Sequence, residues 1–128
     1  MLFRSTPAPA DAPWTRRLVP DPVLLFRYSA LTFNGHRIHY DHPYVTEVEG
    51  YPGLVVHGPL QATLMLDLVR RHRPEARVVR FSFRALRPVF ADRPLAVAGR
   101  PAGAKVALWI ADDTGALAMD GEAELAEA

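Results

Sequence analysis

At 128 residues and a net charge of +1, the chain allows one domain rather than two. Its 49% apolar and 23% charged residues are the composition of a globular protein, not of a disordered or fibrous one. With no cysteine, a disulfide scaffold, a thiolate metal site and a cysteine nucleophile are excluded.

The longest purely apolar runs, Val23–Phe26 and Val106–Ala111, fall well short of the roughly 20 residues a membrane-spanning helix needs. The N-terminus lacks the charged start and apolar stretch of a signal peptide. The expectation is a soluble cytoplasmic protein with no membrane partner. In chain order, residues 1–22 hold Pro7, Pro9, Pro13, Pro20 and Pro22. Proline fixes φ and removes a donor, so this segment is predicted as extended chain without regular structure, with Phe3 and Trp14 as surface anchors. Val23–Tyr28 reads as a strand, and Ser29 as the cap of a short helix through Phe33 that ends at Asn34-Gly35. Residues 36–57 show no sustained period, and so long an irregular stretch in a compact domain is usually functional.

Leu60–Arg73 is the clearest helix. Pro59 suits a first helical position, Arg70, Arg71, His72 and Arg73 suit the last turn, and Pro74 ends it. Its apolar residues cover most of the circumference, so it is expected to be largely surrounded. Strands follow at Val79–Ala85, Leu95–Arg100, Lys105–Ala111 and Ala116–Leu125. In the first, Val79, Phe81, Phe83 and Ala85 alternate with Arg80, Ser82 and Arg84. Short turns between consecutive strands imply an antiparallel meander. One apolar helix wrapped by such a sheet gives an α+β fold of the hotdog kind. The organisation expected is a proline-rich extended segment at 1–22 and one hotdog domain at 23–128.

Charge is uneven. Nine of the 14 arginines lie between Leu68 and Arg100, whereas residues 111–128 carry six acids and no base. A phosphate-bearing or acidic partner and plain solvated faces both account for this.

Two segments are specific. Asn34-Gly35-His36-Arg37-Ile38-His39-Tyr40-Asp41 and Val55-Val56-His57-Gly58-Pro59-Leu60, together with Phe26–Phe33, resemble the MaoC-like hydratase/dehydratase family. The nearest branch is that of the type 2 hydroxyacyl-thioester dehydratases and mesaconyl-C4-CoA hydratases. The resemblance covers about residues 23–125 and is that of a C-terminal repeat. The wider family's motif is Asp-x-Asn-Pro-(Ile/Leu)-His. Here Asn34 takes the Asp place, His36 the Asn, Arg37 the Pro and His39 the catalytic His.

The resemblance implies a hydro-lyase that hydrates an enoyl-CoA or dehydrates a 3-hydroxyacyl thioester, including mesaconyl-CoA-like substrates. His39 would move the proton, because its ordinary pKa suits acid–base work. Asn34 would orient water, since an amide neither takes nor gives a proton at neutral pH. Gly58 aligns with the family's oxyanion glycine, at a helix start where free N–H groups and the positive dipole end converge. Arg37, Tyr40, His57, Leu60, Arg84 and Arg87 are the expected substrate-binding residues. Packing is the favoured role for His57; a core position accounts for Tyr40 equally well, and a solvated one for Arg37.

No metal is expected, because three histidines at three-residue spacing without cysteine are a weak ligand pattern. No cofactor is expected beyond CoA or an acyl carrier protein as carrier of the substrate. The expected assembly is a homodimer or higher oligomer, with a companion hotdog subunit as a variant of it. The alternatives are a hotdog thioesterase, a non-catalytic acyl-binding subunit, and RNA binding through Arg80–Arg84. The last conflicts with an alternation that turns Phe81 and Phe83 towards the core, so no nucleic-acid partner is expected.

Overall fold

The computed structural model describes residues 5–127; Phe3 lies outside the described residues. Five strands form one antiparallel sheet: β1 (Trp14–Leu18), β2 (Ala76–Ala85), β3 (Leu95–Ala102), β4 (Lys105–Ala111) and β5 (Leu117–Glu127), in the order β1-β3-β4-β5-β2. Two helices accompany them, α1 (Pro22–Thr32) and α2 (Gly58–His72). The sheet curves around α2, so the fold is the α+β hotdog arrangement expected, but only β3-β4-β5 run as the expected meander, because β2 crosses over to pair with β5 instead of with β3.

Helix α2 starts at Gly58, with Pro59 in its first turn, and stops before Pro74. Leu60, Met65, Leu68 and Val69 are buried in one core with Val97, Val106, Leu108, Ile110, Met119 and Ala123 of the sheet. Close approach of helix and sheet depends on Gly121 of β5. A Cβ there would stand 2.7 Å from the Ser82 carbonyl oxygen and 3.0 Å from the Met65 Cε.

Three local expectations are corrected. Trp14–Leu18 is a regular strand, paired with β3 from Trp14↔Gly99 to Leu18↔Leu95. These five residues lie between Pro13 and Pro20 and contain no proline. Trp14, Arg16 and Leu18 alternate inward, as the inward residues of a strand must. The strand is pinned to α2: the Trp14 ring stacks on His72 at 4.6 Å, and Arg16 reaches Asp67 at 3.0 Å.

Val23–Tyr28 belongs to α1 and is not a strand. Asp21 caps the helix by accepting from the Leu24 N–H at 2.8 Å, and Pro22 opens it. This Asp-Pro start outweighs the strand preference of the apolar run. Ser29 therefore lies within the helix and does not cap one. The helix ends at Phe33, whose φ of 55° is left-handed.

In β2, Val78 pairs with Leu125 and Arg80 with Glu124, so Val79 is bulged out of register and stands exposed. Val78 and Phe81 pack on the core. Phe83 stacks on Phe81 at 5.5 Å but is half exposed, so it does not fill the core as its alternation suggested.

Candidate active site

The irregular 36–57 stretch is held by short-range polar contacts. Asn34 Oδ1 accepts from the His36 N–H at 3.0 Å, and His36 Nδ1 from the Ile38 N–H at 3.5 Å. The Arg37–His39 segment forms one 3-10 turn, followed by a π turn over Tyr44–Val48. The loop before α2 is clipped to this turn from both sides. The Val55 N–H donates to the Ile38 carbonyl at 2.9 Å, and His39 Nδ1 lies 2.6 Å from the Val55 carbonyl oxygen.

That last contact fixes a tautomer. A carbonyl only accepts, so Nδ1 must carry the hydrogen, and the Nε2 lone pair of His39 is left free to act as a base. His39 is 7% exposed. Burial is the main cause that lowers its pKa below the ordinary imidazole value; the Val55 carbonyl opposes this, and nearby His36 adds to it. The neutral, proton-accepting form is thus favoured.

His57 packs directly on it, the two rings stacked at 3.7 Å with 16° between their planes. His57 is 0% exposed, and its Nε2 lies 2.8 Å from the Ser29 hydroxyl on α1. The Tyr28 ring meets it edge-on at 4.8 Å. Nδ1 of His57 has no hydrogen-bond partner among the described residues. Burial first, and the His39 charge second, push its pKa down to about 4.

Gly58 follows as the first residue of α2. The N–H groups of Gly58 and Leu60 make no hydrogen bond among the described residues, and Pro59 between them has none to offer. The helix start therefore presents free donors at its positive end, the arrangement that stabilises a developing negative oxygen. Between α1 and the turn runs a groove of about 370 Å³ lined by Phe26, Ser29, Ala30, Phe33, Asn34, Gly35 and Tyr40. A larger hollow of about 540 Å³ lies over the β4–β5 side of the sheet, among Phe83, Arg84, Arg100, Trp109 and Asp120. It holds none of the histidines, and the polar groups suited to acid–base chemistry converge elsewhere.

The structure thus gathers His39, His57 and the start of α2 at one place, while Asn34 accepts from the N–H of His36, the residue that caps the His39 turn. The other expected residues are placed as follows. Arg37 is exposed, paired with Asp41 at 3.0 Å and laid over the Tyr44 ring at 4.0 Å. Tyr40 donates to the Gly35 carbonyl at 3.0 Å and borders the groove. The Leu60 side chain is in the core. Arg84 is exposed and paired with Asp120 at 3.3 Å, and Arg87 lies 3.2 Å from Asp112. Both are thus matched to acids of the sheet and its turns, not to the histidine cluster. Among the described residues no group of three His, Asp or Glu is arranged to hold a metal ion. Ser29 and the Val55 carbonyl were not singled out from sequence. Helical spacing of Leu25 and Ser29, both buried on α1, is the signal that would have found Ser29.

Comparison with known proteins gives the family of the chain. The family described as hydroxyacyl-thioester dehydratase type 2 matches residues 3–91. The chain is 46% identical, over 98% of its length, to mesaconyl-C(4)-CoA hydratase of Chloroflexus aurantiacus, of which the match covers 48%. It is 44% identical, over 71% of its length, to mitochondrial hydroxyacyl-thioester dehydratase type 2 of Schizosaccharomyces pombe, covering 30% of that protein. The chain therefore spans at most about half the length of these curated relatives. Among solved structures, the (R)-hydratase of A. caviae involved in PHA biosynthesis superposes with a TM-score of 0.77 over 92% of this chain and 97% of that one, at 21% identity; this likeness establishes the shared fold. By the extent and place of the family match, the chain belongs to the hydroxyacyl-thioester dehydratase type 2 family.

Proposed function

We propose that this chain carries the acid–base site of a hydro-lyase acting on acyl thioesters, interconverting an enoyl thioester and water with a 3-hydroxyacyl thioester. The observation that carries this reading is His39. It is buried, its Nδ1–H is held by the Val55 carbonyl, and it sits beside an α2 start with unpaired N–H groups.

In the hydration direction, the water oxygen bonds to the β carbon while His39 Nε2 takes one water proton. The electron pair of the double bond moves towards the thioester, whose oxygen becomes enolate-like and is met by the Gly58 N–H. His39 then returns its proton to the α carbon. One water is consumed, one C–O and one C–H bond form, and the π bond is lost. No electrons leave the substrate, so the reaction as written needs no redox cofactor. An oxyanion donor of this kind lowers the barrier by roughly 3–4 kcal/mol. Asn34 stands where the wider family has a carboxylate; its amide orients water and leaves proton transfer to His39. The Phe26, Phe33 and Tyr40 groove next to Asn34 fits an acyl chain, and coenzyme A or an acyl carrier protein is the expected carrier.

The same reading includes an assembly. Among the described residues, β2 leaves one sheet edge unpaired, and Phe26, Leu31 and Phe33 are exposed at 62%, 80% and 96%. An open sheet edge and exposed apolar side chains each favour a second copy or a companion subunit. A cytoplasmic setting belongs to the proposal as well; no helix among the described residues is long and apolar enough to cross a membrane.

The test is a panel of enoyl thioesters carried on coenzyme A and on acyl carrier protein, mesaconyl-CoA among them, followed by loss of the conjugated double bond. Hydration of at least one member supports the reading. No turnover by an assembled, folded sample on any member, with either carrier, overturns it.

A further inference from the structure

Through its backbone and its ring, His57 touches α2, α1 and the His39 turn, the elements that hold the candidate machinery. It is the residue just before Gly58, and its backbone carbonyl accepts the Gln61 N–H at 3.1 Å in the first turn of α2. Its Nε2 meets Ser29 of α1 at 2.8 Å. Its face covers the His39 ring at 3.7 Å. Ser29 in turn ties to the His39 turn through its carbonyl, which accepts the Asn34 N–H at 2.8 Å. A fully buried imidazole with one nitrogen unpaired is costly to keep, since an unmet polar atom forfeits its hydration. Packing alone would be served by an apolar ring at that place.

We infer that His57 is a positioning residue, whose stacked ring sets the plane of His39 relative to the Gly58 amide; the inference rests on the reaction proposed above. The Val55 carbonyl holds His39 at a single atom, and a ring tethered at one atom still rocks about its side-chain torsion. A parallel ring 3.7 Å away blocks that rocking, and so holds Nε2 on the line it needs. A misplacement of about 1 Å at a reacting group costs on the order of 10²-fold in rate.

The stack needs a flat ring and not a titrating one, which separates this role from proton transfer by His57 itself. His57→Ala removes the ring, His57→Gln keeps a partner for Ser29 without a ring face, and His57→Phe keeps the face without a titrating group. In His57→Phe, the Ser29 hydroxyl can turn to the carbonyl one helical turn earlier, as serine does within helices. The expected result is a fall in kcat of about 10²-fold for Ala and Gln with KM within about twofold, and recovery to within about tenfold of wild type for Phe.

A second readout does not use turnover. In the full-length protein, ¹⁵N shifts of His39 are expected to show a single Nδ1–H tautomer in wild type and His57→Phe, and a mixture in His57→Ala and His57→Gln, where the unstacked ring swings Nδ1 off the Val55 carbonyl. If the wild type turns over no thioester, the proposed reaction fails while these shifts still decide the positioning role. If His57→Ala does not fold, the Gln and Phe variants carry the comparison. Folded Ala or Gln variants with wild-type kcat and an unmixed His39 tautomer would overturn the inference. So would a folded Phe variant as slow as the ring-less ones, because that outcome assigns His57 a proton.

Discussion

Acid should destabilise this protein well above the range in which its carboxylates titrate. His57 is fully buried and its pKa is lowered from 6.5 to about 4. An unfolded chain takes up that proton near pH 6.5, whereas the folded chain refuses it until about pH 4. Between these values the unfolded state binds more protons, so stability is full above pH 6.5 and falls as the pH drops towards 4. The whole shift corresponds to about 3 kcal/mol. His39, shifted in the same direction by burial, adds to the loss. Asp41, Asp67 and Asp112 are held below the ordinary value of 3.8, so their loss of stability comes at still lower pH. Urea unfolding at intervals from pH 7.5 to 4.5 therefore isolates the histidines. Wild type is expected to lose stability with a slope steeper than that of His57→Gln by up to about 1.4 kcal/mol per pH unit. Equal slopes in the two proteins would refute the argument, since the burial of His57 would then carry no protonation cost.

Three further outcomes are expected. His39→Ala should lower kcat by about 10²–10⁴, the usual worth of a positioned acid–base group, with a circular dichroism melt close to wild type; a folded, fully active variant would remove His39 from the mechanism. Asn34→Asp should keep the turn, because a carboxylate accepts the His36 N–H as the amide does. It should also raise the pKa of His39 through its negative charge, so the acidic limb of the kcat/KM profile moves to higher pH; an unmoved limb places residue 34 out of reach of His39. Gly121→Ala should destabilise by about 1–3 kcal/mol, read as a lower urea midpoint, because the added methyl lands 2.7 Å from a backbone oxygen that cannot swing aside.

Helix α2 and the strands after it were readable because each is bounded by its own local chemistry. Pro59 and Pro74 bracket the helix, and β4 is flanked by turns that break the pattern at Gly103 and Gly115. Val79 shows the limit of that approach. Its alternation with Phe81 is correct in β2 alone, but the bulge that expels it arises from the register against β5, more than 40 positions along the chain. Trp14–Leu18 was hidden for a similar reason. Its prolines argue for irregular chain, and only the free edge of β3 gives five intervening residues something to pair with.

The same division runs through the site. His39, Asn34 and Gly58 stand in two short motifs and were legible from the residues and the family they resemble. The Ser29–His57 bond joins positions 28 apart, and it stayed out of sight because of a single misreading. With Val23–Tyr28 taken as a strand, Ser29 falls at a boundary and reads as a cap. With Asp21 as the cap instead, the helical period places Leu25 and Ser29 on one inward face. Leu25 finds the apolar core there, and Ser29, four residues on, needs a polar partner at the same depth. Among the described residues that partner is His57, so the cap at Asp21 decides which side chain the buried imidazole can reach. The geometry of the His39 pair therefore depends on where α1 begins, about two helical turns before Ser29.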